Sequence, residues 1–354
     1  MADLKSSHVL SLNRNNPVNM PLRISYVIMA LVLVMAGWLQ MATLLLTSLF
    51  GFFALNLFNF HQRKCIAMSL YVLVIALIGL GLFYFSRQAY VVLPKIIDTT
   101  IPAVVEYAEK QNVELPFTDY ASLKSLALTE AKDKIANVGR YTRQVGVQLA
   151  LVIIALVVAA SIFTGTGFLI EGDPHGKAGN LYVQVTRELS RRFQLFYQSF
   201  AVVMGAQIVI SLINTAATSV FLNVAGFPWV TVILVLTFLF GLLPIIGNLC
   251  SNTLIVGVGF TISPKTALVA LIFLIVIHKM EYFLNSTIIG QRIKNPMWLT
   301  LIGLVVGERL MGIPGMILAP VVLHYIKVEC ANFAGQSEPA SKPSADADAA
   351  ARPA

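Results

Sequence analysis

The chain has 354 residues, of which 57% are hydrophobic and 12% charged, with a mean hydropathy of +0.78. Soluble domains carry about 25% charged residues, so this composition excludes a soluble fold and places the chain in a membrane. The net charge of +8 is spread between apolar runs, where it reports orientation in the bilayer rather than nucleic-acid binding.

The first apolar stretch follows Lys5, Arg14 and Arg23 and runs almost unbroken to Phe60. It is too long for a cleaved signal peptide and is expected to be retained. At about 20 residues per crossing it predicts two helices, Leu22–Gln40 and Met41–Phe60. With a third span at Ile66–Ser86 they make an N-terminal membrane scaffold over residues 1–86. Residues 87–144 hold eight basic and seven acidic side chains, a near-neutral stretch expected outside the membrane. Ile96, Ile97, Ile101, Val104, Val105 and Ala108 recur at three to four residue spacing, as do Leu123, Leu126, Ile135 and Val138, which predicts an amphipathic helical pair. Such a pair packs on itself or on neighbouring subunits, and a homo-oligomer is expected.

A fourth span is predicted at Val145–Leu169. Leu181, Val185, Leu189, Phe193 and Phe196/Tyr197 then form a stripe from which Arg187, Arg191 and Arg192 fall away. This pattern predicts an interfacial helix along the cytoplasmic leaflet and closes a segment over 145–198. Residues 199–328 read as a transport core with spans at Ser199–Leu222, Trp229–Ile246, Leu249–Ile262 and Thr266–Leu284 and a broken segment at Met297–Tyr325. Whether 249–262 crosses or re-enters is left open by its length. The polar tail, residues 329–354, is too poor in apolar side chains to bury a core. Alternating sides from a cytoplasmic N-terminus puts twelve Lys/Arg against four acids in the inside loops before the tail, as the positive-inside rule asks; both termini are expected to be cytoplasmic.

Two Gly/Pro clusters interrupt membrane-length runs in the core: Gly241-Leu-Leu-Pro244-Ile-Ile-Gly247-Asn248 and Gly307-Glu-Arg-Leu-Met-Gly312-Ile-Pro314-Gly315. An unpaired backbone group in hydrocarbon costs several kcal/mol, so such breaks are tolerated only inside protein or beside a watery cavity, and paired breaks point to a binding site. Pro244, Gly247 and Asn248 are site-lining or hinge candidates. Gly241, Gly307, Gly312, Pro314, Gly315 and Pro320 are hinge or broken-helix candidates, and for Gly312 close packing is the role expected first. Glu281 sits in a span where a charge costs about 2.5 to 3.5 kcal/mol on insertion scales. It either carries a coupling proton or pairs with Lys279 or Arg292. Gln207, Asn214 and Thr215 offer neutral hydrogen bonds to a hydroxylated solute or to neighbouring helices. Glu308 and Arg309 are expected to pair locally.

The three cysteines, Cys65, Cys250 and Cys330, lack CxxC spacing and suit neither a disulfide framework nor a zinc site; they are read as packing thiols. The histidines His8, His61, His175, His278 and His324 show no ligand spacing, and Gly165-Thr-Gly167 lacks the strand and third glycine of a nucleotide loop. No metal, cofactor or nucleotide site is expected, and no nucleophile, base and acid cluster marks an enzyme.

From about Arg191 to Val322 the succession resembles the autoinducer-2 exporter family, the PerM-like permeases. The resemblance rests on Pro244-Ile-Ile-Gly247, on Glu281 followed by Ile288-Ile-Gly290-Gln-Arg292 and Asn295-Pro296, and on Gly312-Ile-Pro-Gly315-Met-Ile-Leu-Ala-Pro320. It implies an all-α, polytopic transporter of about eight spans in the inner membrane, exporting the quorum-sensing signal autoinducer-2, another small metabolite, or ions. Two other readings stand beside export of a small polar solute: a sodium or potassium/proton antiporter using Glu281, and a non-transport scaffold or sensor working through residues 87–144.

Overall fold

The computed structural model describes residues 20–59, 63–111, 138–165, 180–244, 246–288 and 296–335. Regular structure among the described residues is entirely helical: α1 Met20–Trp38, α2 Ala42–Phe58, α3 Lys64–Lys110, α4 Val138–Thr164, α5 Leu181–Val224, α6 Val230–Gly241, α7 Ile246–Ile262, α8 Pro264–Ile288 and α9 Met297–Gly335. Large apolar side chains such as Leu80, Tyr84, Val145, Leu249 and Val305 stand exposed on these helices, the surface that lipid requires and water penalises. Among the described residues, five helices are long and apolar enough to cross a membrane. The expected all-α, polytopic class is the one observed.

The chain divides into two compact units, one holding Met1–Tyr197 and Glu308–Gly315, the other Gln198–Gly307 and Met316–Ala354. In the first, Phe52, Leu55, Ala67, Tyr71, Ala159 and Phe163 form a core shared by α2, α3 and α4. Gly51 permits this close approach, because a Cβ there would stand 2.6 Å from the Tyr71 hydroxyl and 2.9 Å from Ala159 Cβ. Lys64 Nζ donates to the carbonyls of Thr164 (2.9 Å) and Gly165 (3.4 Å), placing a cation on the electronegative end of α4.

Several expectations are corrected here. The span expected to stop at Ser86 continues without a break to Lys110, through Pro94 and Pro102. Its 47 residues reach about 70 Å at ~1.5 Å per residue, more than twice a hydrocarbon core of ~30 Å. The first helix of the expected extramembrane pair is therefore the continuation of the third span. Leu123, Leu126 and Ile135 lie outside the described residues, as do His8, His61, His175, Gly290, Arg292 and Asn295. The separate interfacial helix is likewise absent, because α5 runs continuously from Leu181 to Val224. Arg192, expected at the headgroups, is 1% exposed. Its Nε donates to Ser25 Oγ at 2.8 Å, its guanidinium lies 3.7 Å from the Tyr26 ring centre, and Glu188 is 3.5 Å away. The packing that fixes this stretch of α5 is thus ionic and aromatic as well as aliphatic. At the tail, α9 remains helical to Gly335, six residues past the expected boundary at 329. The cysteines are exposed and free, not packed inside.

In the second unit, α6, α7 and α8 fold back on one another. Ser251 Oγ donates to Thr237 Oγ1 at 3.1 Å; in one continuous helix these residues would stand about 21 Å apart at ~1.5 Å per residue. Thus α6 and α7 form an antiparallel hairpin turning at Pro244. The turn into α8 is capped by Ser263, whose Oγ accepts from Thr266 N at 3.1 Å, with Pro264 at the first helical position. Gly259 lets α8 close in, since a Cβ there would be 3.0 Å from Ala267 Cα. Stacked rings of Phe221 and Phe273, 4.2 Å between centres, join α5 to α8.

The second Gly/Pro cluster is also a hairpin. A Cβ on Gly303 would lie 3.1 Å from Leu323 and 3.7 Å from Ala319, so the arms of α9 before and after the break run back along each other. The reversal sits at Gly312, with φ 64° and ψ −146°. Of the two roles expected for Gly312, close packing is the one corrected: nothing lies within 4 Å of its Cβ position, and glycine is required by the backbone dihedral rather than by a neighbour.

Candidate functional site

The chemistry-bearing side chains of the second unit gather around the tip of the α6–α7 hairpin. Helix α6 ends at Gly241, leaving its last four carbonyls without intrahelical donors. Leu242 N bonds to Leu239 O (3.2 Å) and Leu243 N to Phe240 O (2.8 Å), tightening the turn. The other two carbonyls are met from α5: Ser211 Oγ donates to Phe238 O at 2.9 Å and Gln207 Nε2 to Gly241 O at 2.5 Å. The two bonds step in opposite directions along the two helices, so α5 and α6 run antiparallel. Gly241 has no side chain because a Cβ would collide with the Ser211 hydroxyl, and Gly247 has none because a Cβ would collide with the Phe240 carbonyl. Both glycines are thus fixed by the close approach of neighbours at the tip.

One turn beyond Pro244, Asn248 Nδ2 donates to Glu281 Oε2 of α8 at 2.6 Å. Glu281 is 8% exposed. His278, whose side chain is 68% exposed, lies 4.0 Å from the same oxygen. Burying a carboxylate is costly unless it is bonded, and the amide of Asn248 meets that need here. The partner expected from α8 itself, Lys279, is exposed, and Arg292 lies outside the described residues.

The tip therefore joins Gln207, Gly241, Pro244, Gly247, Asn248 and Glu281 in one neighbourhood built from α5, α6, α7 and α8. Ser211, Thr237 and Ser251 complete it and were missed in the sequence. Ser211 was recoverable, because it falls between Gln207 and Asn214 on the same face of α5. Asn214, seven residues from Gln207, is 8% exposed and its Oδ1 has no hydrogen-bond partner among the described residues; Thr215 Oγ1 is in the same state. The α9 candidates form a different group. Gly307, Gly315 and Pro320 lie within helical arms, and Pro314 opens the second arm two residues after the reversal. Glu308 and Arg309 approach to 3.9 Å but are largely exposed, so their interaction is weak.

Hairpins that expose backbone turns inside an apolar helical unit, with a buried acid at one tip, are features of membrane transporters. Residues 24–334 match the AI-2E family transporter profile, and the chain belongs to that family: it is a multi-pass membrane protein of a transporter class. A stretch of 133 residues is 26% identical to the Bacillus subtilis (strain 168) protein named "Putative transport protein YdbI", covering 37% of this chain and 38% of that protein. The match thus spans less than two fifths of that relative's length.

Proposed function

We propose that the protein exports a small polar solute across the inner membrane by alternating access, without ATP hydrolysis, with the α6–α7 tip as its binding region and Glu281 as the coupling group. Both termini are assigned to the cytoplasm on the distribution of Lys and Arg, and an autoinducer-2-like signal or another hydroxylated metabolite is the substrate class. The observation that carries this reading is the bond from Asn248 to the buried Glu281 one turn past the Pro244 break. The tip lies where two short helices meet, and α6, at 12 residues, is about 18 Å long at ~1.5 Å per residue, well short of the ~30 Å hydrocarbon. Gln207 and Asn214 supply neutral groups on the facing helix.

The test compares metabolites retained by cells with and without the protein, then follows flux of the identified solute in vesicles. Glu281→Gln keeps the hydrogen bond to Asn248 available but cannot titrate. Its flux is expected to lose dependence on the proton gradient; unchanged gradient dependence would remove Glu281 from coupling.

The same buried carboxyl favours a second reading, sodium or potassium/proton antiport. Dye-reported proton movement on adding sodium or potassium separates the two. Movement present in the parent and absent in Glu281→Gln selects antiport, whereas its absence in both selects a solute exporter.

A further inference from the structure

We infer that Gln207 is an internal latch: its amide occupies the Gly241 carbonyl in the closed hairpin and must leave before the tip can open. This rests on the transport reading above and extends it to how the site is held shut. The four terminal carbonyls of α6 are satisfied in two ways. Leu239 and Phe240 are closed by the turn itself, whereas Phe238 and Gly241 depend on side chains of α5. The two side-chain bonds are unequal devices. Ser211 is short and buried, and is wedged against Gly241, which has no Cβ to keep it away. Gln207 reaches through a long side chain and is only half-buried, so rotation about its own bonds can withdraw the amide while α5 stays in place.

Withdrawal would expose a carbonyl at the electronegative end of a short helix inside an apolar unit, where an unmet acceptor is costly. The vacancy must be filled by another donor. A solute bearing a hydroxyl, amide or ammonium hydrogen can do this; a carboxylate or phosphate oxygen cannot. Gln207 therefore sets both the resting state of the hairpin and the polarity of what displaces it.

The experiment is hydrogen–deuterium exchange of the full chain in lipid nanodiscs, following peptides over residues 238–250. Removing a hydrogen bond of this kind in Gln207→Leu is expected to speed exchange at the tip about tenfold, with peptides of α2 and α4 unchanged as the control for folding. Gln207→Glu adds a readout that loss of packing would not give. Its protonated carboxyl can donate to the carbonyl and its ionised form cannot, so exchange relative to the parent at the same pH should be near one while that carboxyl is protonated and rise as it ionises. Glu281 and His278, the titratable side chains that meet at the tip, are present in parent and variant alike, so each comparison is made at a single pH. Equal exchange in Gln207→Leu and the parent, at whatever rate, overturns the latch, as does a ratio for Gln207→Glu that does not rise as its carboxyl ionises. No solute is needed, so failure here is separate from failure of the Glu281 flux test.

Discussion

At Gly247 a single hydrogen atom decides whether the hairpin can close, because a methyl group would occupy the place of the Phe240 carbonyl. Backbone cannot step aside as a flexible side chain can. Gly247→Ala is therefore expected to lower stability by about 1 to 3 kcal/mol, read as a fall in melting temperature of the purified protein in detergent. Gly312→Ala tests a different cause, since open space surrounds that position and only the dihedral resists. A strained dihedral of this kind costs about 1 to 3 kcal/mol, and exchange should rise at residues 308–316 without disturbance at the first hairpin. The two glycines look alike in the sequence. Both sit within three residues of a proline in an apolar run, and nothing local distinguishes one excluded by a neighbour from one required by φ. Glu281 was legible because a charge in a span is rare, but its partner was not: Asn248 is 33 residues away and meets it only after the chain reverses between α7 and α8.

Among the elements, α5 shows what periodicity can and cannot reveal. The stripe from Leu181 to Tyr197 marks a helix with one apolar face, and a helix is what forms. Its termination was misread because no glycine or proline separates that stripe from the following span, so the two are one element. Arginine content pointed to headgroups, yet Arg192 is enclosed by Ser25, Tyr26 and Glu188. The long side chain can bury its stem and stack its planar head on an aromatic ring. Arg192→Met keeps the stem and removes the head; it is expected to destabilise the protein by about 2 kcal/mol and to raise exchange across residues 181–197. Arg192→Lys should not restore it, because an ammonium lacks both the Nε donor and the flat face. The same reasoning explains α3, where hydropathy falls after Ser86 while helix continues: polarity marks where a chain leaves hydrocarbon, not where its backbone hydrogen bonds end.

For the whole molecule, membrane class, helical content and the general place of both breaks were available from composition and from glycine and proline positions. What composition does not encode is that each break reverses the chain. A kink and a hairpin use the same residues, and the difference lies in long-range contacts such as Ser251 with Thr237 and Gly303 with Leu323. The transport proposal places function in those reversals. Substituting both Pro244→Ala and Pro314→Ala restores a backbone donor at each break and is expected to reduce vesicle flux of the identified solute at least several-fold while the protein still reaches the membrane. Unchanged flux in that double variant would refute the role given to the breaks.

The exposed thiols supply a further consequence. Cys250 lies three residues beyond Gly247 on the second strut of the first hairpin, and Cys330 lies near the end of α9. Because neither is enclosed, both accept spin labels without disturbing the interior, and Cys65→Ser leaves them as a single native pair. Pulsed dipolar spectroscopy between them can then record the spread of hairpin positions in a lipid bilayer, using reporters already written into the chain.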